Sequence, residues 1–461
     1  MTLAKISAEV FAFVATVYVS RKIGVSNYGK IGFVTSIIIY FDMLSNLGLL
    51  TYSIREVSRN QRKLVFFVQH TISLRLVASF VMFTLLMILN GLWGKSFEIK
   101  VLLALYALNL FIKSFSIQWS FAAQNRMGLY GFAQVVLQAT YMVAILILVR
   151  SRDDLFFVPV AMIIGNIAQV LYTWLFQWKN IGRFKLAVNP GIWKGMLKIS
   201  LPIILSYLIA RIYFNFSIIF LGFMGNEEEV GLFMAGFKFI VLLISIREVM
   251  VSVAFPLLSR YFVESREKLI KLMRGFIKLA IMFALPVMAG GIVLSRELIG
   301  AVFGDEYLGA YLPLRILLVS YFILMLNILY PSAQNAFDRQ NIYFKISLIN
   351  SVFNIVFNLV FIYAFGLIGA ALATTFTDLV SLILFQRATY KVVKVGFWEP
   401  LFRTLPPTLF MVLVLLALPS HLYVFIKIPI GILVYFIGVF LFRTLTPEEM
   451  NVLRELQLRK A

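Results

Sequence analysis

The sequence contains no cysteine and only two histidines, His70 and His421. The absence of cysteine excludes disulfide bonds, thiolate catalysis and cysteine-ligated metal or iron-sulfur centres. The two histidines are far apart in the chain and each lies near the end of an apolar segment, so we expect interfacial side chains rather than metal ligands. Neither a metal site nor a cofactor is therefore predicted.

Charged residues are also scarce: they make up 14% of the 461 residues, whereas 61% are hydrophobic and the mean hydropathy is +0.92. A soluble core of this length would not bury so much apolar surface. A helix crosses a hydrocarbon layer of about 30 Å with roughly 20 residues and satisfies its own backbone there. The sequence therefore predicts an all-α polytopic membrane protein with about fourteen transmembrane helices. We place them at residues 3–20, 28–50, 64–90, 99–122, 129–149, 156–178, 197–222, 230–255, 269–294, 311–332, 342–364, 367–390, 401–419 and 422–442.

Acidic residues number only 21 against 42 lysines and arginines, which gives a net charge of +21. In a soluble protein this surplus would suggest nucleic acid, but here the cations follow the connections expected on one side of the membrane. We predict a multi-pass protein of the cell membrane with both termini cytoplasmic, contact with anionic lipid and no nucleic-acid partner. The first segment contains Lys5 and Glu9 and lacks a small-x-small cleavage site, so we expect it to be retained.

Short stretches of the first half recur in the same order about 200 to 210 residues later. The pairs are 24–29 with 225–231, 62–64 with 267–269, 123–125 with 333–335, and 176–177 with 385–386. Such a repeat predicts two pseudo-symmetric six-helix lobes, residues 1–182 and 183–395, followed by two additional helices and an amphipathic cytoplasmic tail, residues 396–461. An even number of helices gives both lobes the same orientation, with the substrate cleft expected between them.

Two motifs that resemble enzyme sites are rejected on their context. The stretch from Gly24 to Lys30 fits the phosphate-binding loop pattern but is followed by Ile31, where magnesium needs a hydroxyl, and no strand precedes it. Acidic pairs at 153–154 and 305–306 lie in connections too short for a glycosyltransferase site. We therefore do not expect an enzyme.

Ionisable residues near segment centres are expensive in a membrane, so they indicate a wet cavity or a partner. Because cations outnumber acids, the set favours an anionic substrate such as a diphosphate headgroup. Structural pairing of each residue is the alternative. The predicted substrate-binding cations are Arg75, Lys113, Arg211, Lys238 and Arg247, and the acids predicted for ion or proton coupling, or for pairing, are Glu9, Asp42, Glu248 and Asp378. An offset of about 202 maps Glu9 onto Arg211, which suggests that these two face each other across the cleft.

Several stretches resemble the polysaccharide flippases, the O-antigen type transporters of lipid-linked oligosaccharides. They are residues 20–29, 44–49, 55–59, 225–238, 255–260, 303–307 and 366–374. The resemblance implies the fold shared with multidrug and toxin extrusion transporters, with two bundles in a V that open alternately to either side. By similarity, Arg55 and Lys238 stand where cations recur, Asn46 stands where many members carry Asp, and residues 11–17 lack the arginine of lipid II flippases.

The predicted function is a flippase that translocates polyprenyl-diphosphate-linked oligosaccharide for surface polysaccharide biosynthesis, by alternating access through a cationic central cavity. The predicted partners are the lipid-linked glycan, membrane lipid and a coupling ion, H+ or Na+. The alternatives are a cation-coupled multidrug antiporter of the same fold, a membrane enzyme acting on lipid-linked sugars, and a scaffold that transports nothing.

Overall fold

The computed structural model describes residues 2–182, 184–224, 226–419 and 421–444, with the side chains at 2–6, 203, 206–207 and 209–214 excepted. Within these ranges every regular element is a helix. The α-helices are α1 (Thr2–Ile23), α2 (Val25–Asn46), α3 (Leu49–Arg59), α4 (Leu64–Leu92), α5 (Phe97–Ala107), α6 (Asn109–Ser114), α7 (Trp119–Ala123), α8 (Met127–Leu148), α9 (Phe157–Ile181), α10 (Pro190–Met224), α11 (Glu227–Glu264), α12 (Arg266–Phe303), α13 (Tyr311–Leu326), α14 (Tyr330–Ala336), α15 (Gln340–Tyr390), α16 (Trp398–Ala417) and α17 (Val424–Leu441).

The predicted segments coincide with helices or with short series of helices. Ten elements in the described ranges are long and apolar enough to cross a membrane, and the bent pair α2–α3 would be an eleventh. The helix α15 contains two predicted segments, because Gly366 has φ 53° and ψ −127° and the chain turns back there. The rings of Phe361 and Phe376, on either side of this turn, lie 5.2 Å apart. The predicted all-α membrane architecture is confirmed, whereas the number fourteen remains approximate.

The fourth segment of each sequence copy is broken at membrane depth. In the first copy, the chain is non-helical at 115–118 between α6 and α7, and in the second it is non-helical at 327–329 between α13 and α14. Hydropathy does not reveal either break, because the average over each segment stays high in spite of Ser114, Ser116 and Gln118 at the first break and Asn327 at the second. Irregular backbone inside a membrane has to be satisfied by protein groups or water.

One of the sequence matches used for the repeat is displaced by nearly one helical turn. Asn125 after α7 has φ 59° and is followed by an Arg126 N–H that donates to Phe121 O at 2.8 Å. Asp338 after α14 has φ 57°, and the next amide donates to Gln334 O, also at 2.8 Å. Residue 125 therefore corresponds to 338, and the pairing of 123–125 with 333–335 was wrong locally because similar tripeptides fall at different helix positions.

The chain divides into two compact units, Met1–Met234 and Ala235–Ala461. In the first unit, α8 packs between α1 and α9, and α2 contacts α4, α5 and α10. In the second, α13 packs against α12 and α15, while α16 contacts α12 and α17. The helix α10 thus belongs to the first unit by its contacts, although the repeat assigns it to the second copy. The domain boundaries at 182 and 395 remain predictions about the repeat, and the tail after residue 444 lies outside the described residues.

Candidate functional site

An ion pair joins α2 to the end of α6 in the first unit. Lys113 Nζ lies 3.0 Å from Asp42 Oδ2, and the two side chains are 38% and 29% exposed. Lys113 is the second-last residue of α6, directly before the break in the fourth segment. Both residues were singled out from the sequence, Lys113 as a substrate ligand and Asp42 as a coupling or pairing acid. The structure brings these two residues together.

Arg75 on α4 lies beside this ion pair and is almost completely buried; the three residues Asp42, Arg75 and Lys113 form a charged cluster. Its side chain is 4% exposed, and one guanidinium nitrogen donates to Ser116 O at 3.3 Å and to Ser114 O at 3.5 Å. These carbonyls belong to the broken stretch after α6, so Arg75 satisfies backbone that the helix has released. Asp42 also lies within electrostatic range of Arg75. The cluster therefore contains two cations and one acid, and Arg75 supports the backbone around Lys113.

A second group of predicted residues lies in the second unit. Asp378 on α15 is 4% exposed and accepts a short hydrogen bond from Ser320 on α13. Arg247 on α11 is half-buried and lies within electrostatic range of Tyr321, the neighbour of Ser320. Lys238 is half-buried and Glu248 exposed on the same helix. Because residues 238 and 247 are nine positions apart, they project to opposite sides of α11.

The suggested pairing of Glu9 with Arg211 remains a hypothesis. Glu9 lies half-buried on α1. The side chain of Arg211, on α10, lies outside the described residues. The described part of the chain therefore contains two separate charged groups from the predicted set, one in each compact unit.

The sequence reasoning missed a partly buried ion pair beside an apolar cavity in the second unit. Lys427, 3% exposed at the start of α17, lies 2.8 Å from Glu297 on α12. The cavity has a volume of about 460 Å³ and is bounded by α11, α12, α13, α16 and α17. Its lining is apolar apart from Lys427 and Tyr435. Lys427 lies close to the end of a predicted segment, where a lysine is usually interfacial, and the sequence offered no partner for it.

The described residues contain no group of three or more histidine, cysteine or acidic side chains placed to hold a metal ion. Of the predicted site residues, Lys113 pairs with Asp42, Arg75 donates to backbone carbonyls and Asp378 accepts from a hydroxyl.

Comparison with known proteins assigns the family. Residues 1–262, more than half of the chain, match the family described as polysaccharide biosynthesis protein. The protein belongs to this family. The resemblance inferred from the sequence motifs is confirmed.

One relative of this polysaccharide biosynthesis protein is the probable low-salt glycan biosynthesis flippase Agl15 of Haloferax volcanii. It is 22% identical over 223 residues, which are 47% of this chain and 47% of the relative. The match therefore spans about half the length of that protein.

Solved structures establish the fold of this polysaccharide biosynthesis protein. The lipid II flippase MurJ in its inward closed conformation aligns with a TM-score of 0.79 and 17% identity, covering 96% of this chain and 98% of that chain. An inward-facing multidrug resistance MATE transporter of the MOP superfamily aligns with a TM-score of 0.67 and 16% identity, covering 84% of this chain and 96% of the other. The predicted fold class is confirmed; at these identities the likeness shows the fold alone.

Proposed function

We propose that the protein is a flippase that moves polyprenyl-diphosphate-linked oligosaccharide across the cell membrane for surface polysaccharide biosynthesis. The family assignment and the similarity to the probable glycan biosynthesis flippase of Haloferax support this proposal. The observation that carries it is the cation surplus around Lys113, Arg75 and Asp42, at a depth where an unneeded charge would be costly. A transporter of this kind is not an enzyme, since no bond of the substrate is broken.

In this proposal the headgroup crosses by alternating access while the lipid tail stays in an apolar environment. Lys113 contacts the diphosphate as a point charge, and Arg75 adds a fixed positive field behind it. Arg211, Lys238 and Arg247 are the further proposed ligands. The acids Glu9, Asp42, Glu248 and Asp378 are the proposed sites of H+ or Na+ coupling. The basic connections hold both termini in the cytoplasm, where the lipid-linked glycan is assembled.

The apolar cavity of the second unit is the proposed site for part of the polyprenyl tail. Its volume of about 460 Å³ lies in the range of small-molecule sites. The walls come partly from α16 and α17, the two helices that follow the repeat. A hydrocarbon chain in this cavity would be held mainly by apolar contacts, which suits a tail that has to slide.

Transport into proteoliposomes tests the proposal. We expect the wild type to translocate a labelled polyprenyl-diphosphate sugar, and Lys113→Gln to reduce the rate by about a hundredfold, equivalent to about 2.7 kcal/mol. Lys185→Gln is the matched control, because Lys185 is an exposed lysine in the connection before α10. A wild-type protein that leaves the substrate in its original leaflet, or equal rates for the two variants, would refute the proposal.

A substitution at the cavity tests the tail site. Ile432 lines the cavity and is 52% exposed, so Ile432→Trp should narrow the opening without disturbing the core. We expect transport of a long-chain polyprenyl substrate to fall by about tenfold while a short-chain analogue is moved at the normal rate. Leu433→Trp is the control, since Leu433 is 60% exposed and does not line the cavity. An equal loss of transport rate for the long-chain and short-chain substrates would show that the polyprenyl tail does not occupy this cavity.

A cation-coupled multidrug antiporter is the second candidate, favoured by the structural match to the MATE transporter. Such a protein would take a cationic dye into the same proteoliposomes against a sodium or proton gradient. The cation surplus around Lys113 opposes this activity, because it repels positively charged drugs. Dye uptake without movement of the lipid-linked sugar would select the antiporter.

A further inference from the structure

The ion pair between Lys113 and Asp42 has a function of its own. We propose that Asp42 is an internal competitor: it occupies Lys113 in the empty protein and is displaced by a diphosphate, but not by a singly charged anion. This inference rests on the proposed function, since it assigns a selection step to the same site.

Exposure distinguishes this pair from a structural ion pair. Lys113 and Asp42 are 38% and 29% exposed, whereas Arg75 beside them is 4% exposed. A charged pair that is open at membrane depth has to face water, because contact with hydrocarbon would be costly. An anion arriving through that water can reach the Lys113 ammonium, but it can reach little of Arg75.

The charge of the cluster favours an anion even while the pair is intact. Asp42 offsets one cation, and the positive charge of Arg75 remains. The Nε of Arg75 is buried without a hydrogen-bond partner, so its donors are only partly used. Arg75 therefore supplies a fixed positive potential that persists when Asp42 moves away.

The backbone gives Lys113 a defined position. The helix α6 ends at Ser114, and Arg75 donates to Ser114 O and Ser116 O in the break that follows. Lys113 is therefore presented by a segment that the buried guanidinium holds in place. Asp42 is on α2, which ends four residues later, before the bend at Leu47 and Gly48. Because Asp42 projects from the regular part of this helix, a change of its side-chain rotamer is enough to move the carboxylate away from Lys113.

Competition of this kind gives selectivity by repulsion. An incoming anion has to overcome the attraction between Asp42 and Lys113 and the repulsion from the Asp42 carboxylate. A diphosphate carries at least two negative charges and can do so, whereas a phosphate diester or a carboxylate, with a single charge, cannot. The same carboxylate returns to Lys113 when the headgroup leaves, which keeps binding reversible.

Binding of inorganic diphosphate to the purified protein in nanodiscs, measured by calorimetry with the singly charged diester dimethyl phosphate in parallel, tests the inference. We expect Asp42→Asn to bind diphosphate about tenfold more tightly and to bind dimethyl phosphate as well. Lys113→Gln should lose binding, and the double variant should behave like Lys113→Gln. The matched control is Glu98→Gln, which frees Lys30 from its ion pair elsewhere in the first unit and should change nothing.

Unchanged diphosphate affinity in Asp42→Asn, or the same gain in Glu98→Gln, would overturn the inference. The proposed function fails separately. If lipid-linked sugar is not transported but Asp42→Asn gains affinity for both anions through Lys113, the competition by Asp42 is supported and the protein acts on a different anionic substrate. If transport depends on Lys113 while Asp42→Asn binds both anions as the wild type does, the proposed flippase function is supported and the role of Asp42 as a competitor is refuted.

Discussion

Replacing Gly29 with valine should abolish transport, because α2 and the start of α11 cross there in backbone contact. A Cβ atom at Gly29 would lie 1.7 Å from Glu227 O, and one at Gly231 would lie 2.2 Å from Val25 O. Neither neighbour is a flexible side chain, so the helices would have to separate. Small residues at such crossings allow helices in a membrane to approach closely.

The contact is reciprocal, with the same offset as the sequence repeat. Residue 231 is 202 positions after 29, and residue 227 is 202 positions after 25. Each glycine therefore approaches the carbonyl that lies four residues before the other glycine, as expected for two helices related by a two-fold axis. Gly32 continues the pattern, since its Cβ would meet the side chain of Met234, again 202 positions later.

These glycines follow the connections that the positive-inside pattern assigns to the outer side. If this crossing closes the outer side in one state of the cycle, a valine removes that state and transport stops. Spin labels at Ser26 and Glu228, introduced as cysteines into a chain that has none, should report a longer distance in Gly29→Val. Gly91→Val is the control, because nothing lies within 4 Å of a Cβ there. Normal transport by Gly29→Val would show that the crossing need not close.

Hydropathy and charge predict the helices and the membrane class well, since both depend on average properties of roughly 20 residues. Contacts between individual side chains could not be predicted from the sequence. Lys113 and Asp42 are 71 positions apart in the chain. The sequence therefore predicted a set of cations and a set of acids, but not which cation pairs with which acid. The breaks before α7 and α14 were missed because the average hydropathy of each segment stays high across them.

The sequence repeat predicted equivalent positions correctly where a backbone contact constrains the residue, and incorrectly where no such contact exists. At Gly29 and Gly231 the constant offset reflects a crossing that tolerates no side chain. At Gln124 the matching tripeptide falls at another helix position, and the two amides have different partners: Gln124 accepts from Gln177, whereas Gln334 donates to Thr389. The guanidinium at Arg75 also has no charged equivalent at residue 280, which is alanine, although Lys278 lies two positions before it.

Replacing Arg75 with leucine should lower the free energy of unfolding by about 2–4 kcal/mol, since two carbonyls at the break would lose their donor. The side chain is 4% exposed and donates to Ser114 O and Ser116 O. Thermal unfolding in detergent should show a reduced Tm for Arg75→Leu and an intermediate value for Arg75→Lys, whose ammonium lacks the planar fork. Arg62→Leu, at an exposed position before α4, should leave the Tm unchanged.

Transport should fall further in Arg75→Leu than the loss of stability explains, because the released backbone no longer fixes Lys113. Rates normalised to folded protein separate the two effects. A normalised rate equal to the wild type would show that Arg75 acts on the fold alone. A low rate together with a wild-type Tm would contradict the capping of the broken helix and make Arg75 a ligand of the substrate instead.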